Sequence, residues 1–335
     1  MQKMMKSKIL WTFLVILILT VIISKIGLFN IPETTQTNLA LPRTLIHGYP
    51  FHTQTFGSPD KPAIIVIHGG PGGDFNYLIE LKRLSDQYFV VFYDQRGTGL
   101  SPRSTTMDFS IESSLNDLND IVQFYSRGKK IILIGHSWGA MLGTAYVSKY
   151  PGSVLKAVFM EPGMLNQKSA AAFLTAISEA QKNLSFSMIS NMGIAFIKSA
   201  FVKTRDDQES KDYLLTTIMG IGKGKPYQCE GESFPEGSFV RAGHLVFKEM
   251  IMPLIDHPEK FTFDFTGKLQ SFRGKILLLS SECSFVGYEY QKAYHENLYP
   301  KSTIHKLIKG TGHNMITMKP DESLIIIRDF LNQGN

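Results

Sequence analysis

The sequence predicts an α/β protein, a mostly parallel sheet with helices on both faces and a helical cap inserted late in the chain. Three observations carry this. Short apolar, largely β-branched runs at 63–67, 88–93, 130–134, 154–160, 275–281 and 302–307 alternate with stretches of helical spacing. One of these runs leads through Gly135-His136-Ser137-Trp138-Gly139 directly into a helix-like segment, 140–147. The alternation stops between 164 and about 265, in a Ser/Met/Phe-rich stretch, and then resumes.

The N-terminus carries Lys3, Lys6 and Lys8 before a mostly aliphatic run, 9–23. Basic residues ahead of an apolar run read as an export signal or a signal anchor. Extending the run to Phe29, with Lys25 snorkelling, gives the length of a span. No small-x-small cleavage pattern and no cysteine for lipid attachment follow it, so an uncleaved anchor over 1–29 is favoured over a removed signal peptide. The positive flank would stay in the cytoplasm, which puts the rest of the chain outside; simple export is the alternative. Residues 30–43 are polar and Pro/Thr-rich, as in a linker.

A first core segment is expected over 44–163. It opens with a hairpin at 44–56 that turns at Gly48-Tyr49-Pro50. The strand at 63–67 runs into His68-Gly69-Gly70-Pro71-Gly72-Gly73, and the strand at 88–93 into Asp94-Gln95-Arg96-Gly97-Thr98-Gly99-Leu100-Ser101. Ile111, Leu115, Leu118, Ile121, Val122 and Tyr125 repeat at helical spacing. The strand at 154–160 ends at Glu161-Pro162-Gly163. The cap, 164–265, reads as helical in its first half, with a Gly/Pro stretch over 220–237. A second core segment, 266–335, holds the strand at 275–281, a helix at 288–298, a strand at 302–307, the loop Gly310-Thr311-Gly312-His313-Asn314 and a last helix at 321–331.

The motif at 135–139 has a physical logic. A strand–Gly-x-Ser-x-Gly–helix joint is a nucleophile elbow, in which the serine sits on a strained turn and the flanking glycines avoid backbone clashes. The Ser137 hydroxyl then projects at a helix N-terminus, where N–H groups and the helix dipole favour a developing anion. A plain strand–turn–helix joint with a surface serine is the bland alternative.

Composition narrows the partners. At 43% hydrophobic, 19% charged and a net charge of +6, the chain is globular, and no Lys/Arg cluster with interleaved aromatics points to nucleic acid. Its two cysteines, Cys229 and Cys283, make neither a metal spacing nor a disulfide framework; one disulfide is compatible with an exported domain. No pattern asks for a cofactor or a metal, and oligomeric state is not legible.

Four motifs in order, His-Gly-Gly-Pro-Gly at 68–72, Asp-Gln-Arg-Gly-x-Gly-x-Ser at 94–101, Gly-x-Ser-Trp-Gly at 135–139 and a late Gly-His at 312–313, resemble the α/β-hydrolase superfamily and, within it, the proline iminopeptidase-like branch, serine peptidase family S33. The resemblance runs from about Thr44 to the C-terminus and implies the α/β-hydrolase fold. It implies Ser137 as nucleophile, His313 as its base, and an oxyanion hole from the N–H groups of Trp138 and Gly70. His68 and His136 fall to shaping roles, and Asp94 and Arg96 to tying loops at a strand end.

The acid of the triad departs from the family. Most relatives carry an Asp after the strand before the histidine loop, and Ser284 falls at that position here. Glu161 and Glu282 are the two candidates, both at strand ends that face one crevice of a parallel sheet. Glu161 is preferred because it directly ends an apolar run and Pro162-Gly163 then turns the chain; Glu282 is the alternative. The implied chemistry is acyl transfer on a small-molecule or short-peptide substrate, aminopeptidase- or amidase-like. A carboxylesterase or lipase-like hydrolase is the first alternative. A non-catalytic membrane-anchored binding protein on a hydrolase scaffold, suggested by the missing Asp, is the second. In iminopeptidases acidic cap residues bind the substrate's free amine; the cap acids here include Glu230, Glu232, Glu236 and Glu249.

Overall fold

The computed structural model describes residues 27–105, 108–182, 186–221, 226–257, 259 and 261–334. Its centre is an eight-stranded sheet of β1 (Arg43–Ile46), β2 (Tyr49–Phe56), β3 (Ala63–Ile67), β4 (Phe89–Tyr93), β5 (Ile131–His136), β6 (Val154–Met160), β7 (Lys275–Ser281) and β8 (Ile304–Ile308). The strand order is β1-β2-β4-β3-β5-β6-β7-β8. The hairpin β1–β2 and the β2–β4 pair are antiparallel. Every pairing from β4 through β3 to β8 is parallel.

β3, β4 and β5 are buried on both faces, as expected of parallel strands covered by helices on each side. Their alternation sorts side chains into two cores. Ile65 and Ile67 pack with Leu118, Val122 and Leu142 on one face. Ile64 and Val66 pack with Leu78, Leu81 and Ile327 on the other. The first face is covered by α1 (Ile111–Ser126) and α2 (Trp138–Lys149). α1 begins at a capping box, in which the Ser110 hydroxyl accepts from Ser113 N and the Ser113 hydroxyl accepts from Ser110 N.

The cap lies between β6 and β7 and holds α3 (Gln167–Gln181), α4 (Phe186–Ser199), α5 (Glu209–Gly220) and α6 (His244–Asp256). Its second half therefore contains a helix that the sequence pattern leaves open; Pro253 sits inside α6 and obscures the helical signal. After β7 come α7 (Tyr288–Tyr294), α8 (Met315–Met318) and α9 (Pro320–Asn332). A 3₁₀ helix, Asn76–Asp86, covers the second face with Tyr77, Leu78, Leu81 and Leu84 and has no counterpart among the sequence expectations.

The expected membrane anchor, 1–29, falls largely outside the described residues, which begin at Gly27. Its last residues dock on the cap: Leu28 N donates to Phe201 O at 2.7 Å and Lys203 N to Phe29 O at 2.8 Å. No helix among the described residues is long and apolar enough to cross a membrane. The segment expected as a linker is stitched down. Ile31 and Thr35 are buried, Arg205 and Arg241 donate to the carbonyls of Ile31 and Pro32, and Thr35 N donates to Leu100 O at 2.8 Å.

Candidate active site

The chemistry-bearing side chains gather at the C-terminal edge of the parallel strands, over the middle of the sheet. Ser137 joins β5 to α2 with φ 54° and ψ −119°, a left-handed conformation rare for a residue with a side chain. The two glycines of the elbow are sterically required. A Cβ on Gly135 would lie 2.4 Å from Gly139 O, and one on Gly139 would lie 2.1 Å from Ile67 O. Ser137 N donates to Met160 O at 2.8 Å, which pins the elbow to the end of β6.

Glu161 follows β6 directly, with φ 46°. It is fully buried, and its Oε2 lies 2.5 Å from His313 Nδ1. Oε1 accepts from Ser281 N at 2.6 Å and from the Ser281 hydroxyl at 2.5 Å. A carboxylate only accepts, so Nδ1 of His313 carries the proton and Nε2 keeps its lone pair. Glu282 has a different job: exposed, it accepts from Gly310 N at 2.7 Å and braces the start of the histidine loop. Ser284, at the family's Asp position, accepts from Val286 N in a local turn.

A second network joins the histidine loop to the glycine loop after β3. Tyr77 Oη accepts from Gly69 N at 2.7 Å, and its hydroxyl donates to His136 Nδ1 at 2.7 Å. His136 Nε2 then donates to His313 O at 2.8 Å. Burial, and His313 beside it, hold the His136 imidazole well below the usual histidine range, so it stays neutral in this relay. His68 ties the same loop to β4, with Nε2 accepting from Gln95 N at 3.0 Å. Gln95 in turn accepts from the Trp138 indole N–H at 2.9 Å. Asp94 and Arg96 hold loops: Asp94 accepts from Phe75 N and Leu100 N, and Arg96 makes a bidentate pair with Asp117.

Gly70 stands in the glycine loop with φ 129°, and a Cβ on its neighbour Gly69 would come within 3.1 Å of Ser137 Cβ. The Trp138 N–H lies in the first turn of α2, where helix donors have no intrahelical acceptor. Gly70 and Trp138, the candidate oxyanion donors, line a cavity together with Ser137.

The cap closes the site from the side of the histidine. Tyr227 O accepts from His313 N at 2.6 Å. Glu232 accepts from Gly312 N and Cys229 N at 2.9 and 2.8 Å and from the Thr311 hydroxyl at 3.0 Å. Gly312 has to be glycine, since a Cβ there would lie 2.4 Å from Gln228 Cα. Cys229 and Cys283 form a disulfide, Cα atoms 5.0 Å apart, that fastens this cap segment to the loop after β7. Ser281, Tyr77 and Glu232 carry no motif. The disulfide had one signal, two cysteines in a chain with an export-like N-terminus.

Two cavities meet at Ser137, Gly70, Pro71, Tyr227 and Phe247. One, of about 330 Å³, is walled by Met141, Phe173, Ile177, Met250, Leu254 and Phe261. The other, of about 320 Å³, reaches His313 between Tyr77, Met188, Met219, Phe234 and Phe239. No Asp, Glu, Lys or Arg lines either among the described residues. Of the cap acids, Glu232 is held by the histidine loop and Glu249 faces Lys248 at 3.4 Å.

Residues 62–188 match the family described as alpha/beta hydrolase fold. A proline iminopeptidase of Saccharolobus solfataricus is 26% identical over 81% of this chain and 84% of its own length. A proline iminopeptidase of Heyndrickxia coagulans is 27% identical over 80% of this chain and 90% of its own. Among solved structures, a proline iminopeptidase of Mycobacterium smegmatis superposes with a TM-score of 0.56 at 16% identity, over 87% of this chain and 97% of that one. A thermophilic esterase of Thermogutta terrifontis does so at 0.58 and 16%, over 87% and 96%.

Proposed function

Since the chain belongs to the α/β-hydrolase superfamily, in its proline iminopeptidase-like branch, we propose that it is a serine hydrolase working by acyl transfer through Ser137, His313 and Glu161. The single observation that supports this most is the buried Glu161 carboxylate, 2.5 Å from His313 Nδ1. It leaves Nε2 to take the Ser137 proton as the hydroxyl attacks a carbonyl. The imidazolium so formed faces a carboxylate that is already desolvated and held by two donors of Ser281. The oxyanion that develops is received by the N–H groups of Gly70 and Trp138. His313 then returns the proton to the leaving group, and water releases the acyl group by the same steps. A purely binding role would leave this carboxylate–imidazole pair without a purpose.

The substrate we infer is a small neutral ester or amide with apolar groups on both sides of its carbonyl. The two apolar cavities that meet at Ser137 support it. An aminopeptidase is the second reading, favoured by the proline iminopeptidases among the relatives. A free amine, however, asks for a carboxylate that neither cavity supplies among its described lining. We further infer a catalytic domain outside the cytoplasm, held by the N-terminal segment 1–29; the Cys229–Cys283 disulfide supports an oxidising compartment.

The test is labelling by a fluorophosphonate, followed by short-ester and aminoacyl-amide panels on the wild type and Ser137→Ala. Covalent labelling and ester turnover are expected of the wild type alone. Turnover retained by Ser137→Ala, or no labelling of folded wild type, would contradict the proposal.

A further inference from the structure

α4 is an amphipathic helix turned inside out. Ala195 and Ser199 face the cap interior, while Phe186, Ile189, Ile194, Phe196 and Ile197 are between 47 and 87% exposed. At about 100° per residue these five fall on one arc of the helix, opposite Ala195, with only Ser190 and Gly193 among them. Soluble helices carry polar residues there, and an exposed apolar face of this extent marks an interaction surface.

The chain itself indicates what covers the face. The described residues begin at Gly27, and Leu28 and Phe29 are pinned beside the C-terminal end of α4 by backbone bonds to Phe201 and Lys203. Phe29 lies under the Lys198 ammonium, 5.6 Å from its ring centre, and Leu28 is exposed. The 26 residues before this point include the apolar run 9–23 with Lys3, Lys6 and Lys8 ahead of it. Lys198, on the helix beside the face, and Lys203, bonded through its N–H to Phe29 O, are exposed, in a chain of net charge +6. An apolar helix face with exposed lysines nearby suits a bilayer surface with anionic headgroups.

We propose that α4 docks by its Phe186–Ile189–Ile194–Phe196–Ile197 face on a lipid bilayer, next to the point where the N-terminal apolar segment enters it. Met188 of the same helix lines the cavity that reaches His313, so docking sets the cap of the candidate active site at the lipid interface. The docking goes beyond the hydrolase reading, and its consequence for substrate delivery rests on that reading: apolar esters dissolved in the membrane would be taken up beside α4.

The test uses the full chain, with Trp11→Phe to remove the tryptophan in the apolar run, bound to vesicles of phosphatidylcholine and phosphatidylglycerol whose acyl chains carry bromine. Phe196→Trp puts a fluorescent reporter on the face, and Phe124→Trp puts one on exposed α1 as the control. With the emission of Trp138, measured in the Trp11→Phe chain, subtracted from both variants, a face inserted among acyl chains gives a roughly twofold or greater quenching at 196 and little at 124. Equal quenching at both sites, or none at 196 in vesicle-bound protein, overturns the proposal. So does shielding of 196 from both bromolipid and aqueous quencher, which would mean that a second copy or residues 9–23 cover the face. In the second arm, Ile189→Glu with Phe196→Glu lowers turnover of a vesicle-dispersed long-chain ester about tenfold and spares a soluble short ester; equal loss on both also overturns it. Turnover of neither ester by the unsubstituted chain would contradict the hydrolase reading and leave the quenching result to decide the docking.

Discussion

Glu161 and Ser281 close the sheet edge beneath the histidine loop. One oxygen of the carboxylate takes both the N–H and the hydroxyl of Ser281, while the other faces His313 Nδ1. Because β6 and β7 are adjacent parallel strands with Met160 opposite Leu279, Glu161 and Ser281 leave the sheet at the same edge, one register position apart. A hydrogen bond to a buried charge is worth about 1.5–3 kcal/mol. Ser281→Ala is therefore expected to lower kcat about ten- to hundredfold with little change in KM, while the backbone N–H keeps the carboxylate in place. Steady-state kinetics check it; an unchanged kcat would show that the hydroxyl does not position the acid.

Tyr77 connects the two loops that flank Ser137. Tyr77→Phe leaves Gly69 N–H and His136 Nδ1 without their partner in a buried site. It is expected to cost about 1–3 kcal/mol of stability and to reduce kcat more than it raises KM. Thermal unfolding and kinetics on the same preparation separate the two effects.

Asp74 supplies a pH dependence. It is buried and accepts from Asn76 N, Val240 N and Arg241 N, joining the glycine loop to the cap. Burial, and the neighbouring Asp94, push its carboxyl up to about 7 against those three donors. A raised folded pKa means that the folded state holds this proton more tightly than the unfolded chain does. The associated stability is full below the ordinary carboxyl range and is lost as pH rises toward 7, by at most about 1.4 kcal/mol per unit. Wild type should thus lose stability relative to Asp74→Asn between about pH 4 and 7. Denaturant midpoints across that range check it, and parallel curves would contradict it.

The Cys229–Cys283 bond closes a loop spanning 54 positions. Its removal by Cys229→Ser with Cys283→Ser is expected to cost about 2–5 kcal/mol. Activity should fall further than stability requires, because the same cap segment holds His313 N and Gly312 N. Kinetics well below the variant's melting temperature check this.

What the sequence made legible followed the range of its signals. The elbow at 135–139 is local, and strand, glycines and helix lie within about twenty residues; its backbone conformation in the structure is the one such a turn needs. The parallel strands are equally readable from β-branched runs; the hairpin is legible from Gly48, but its turn is His47-Gly48, and Tyr49 and Pro50, expected in the turn, already pair in β2. Choosing between Glu161 and Glu282 depends on which strand ends are neighbours, and the preference rests on the turn after Glu161. Ser281, Tyr77 and Glu232 act through backbone groups of distant loops, and no spacing in the chain announces them. The helical period of α4 is visible, but its outward apolar face is not, because periodicity gives a face and no direction. The segment 30–43 reads as a spacer from its polarity, yet its carbonyls bind Arg205 and Arg241, partners more than 170 positions away.

The central claim is that Glu161 holds the His313 imidazole for chemistry at Ser137, and the most direct measurement is kcat for Glu161→Gln against Glu282→Gln. Gln keeps the size, removes the charge that stabilises the imidazolium and favours the wrong tautomer; the analogous Asp→Asn change in the triad of a serine protease costs about 10⁴-fold. Glu161→Gln is expected to fall by about 10³–10⁴-fold with the fold intact. Glu282→Gln, which alters only an exposed bond to Gly310 N, should stay within about threefold of wild type. A large loss in Glu282→Gln with near-normal turnover in Glu161→Gln would contradict the account.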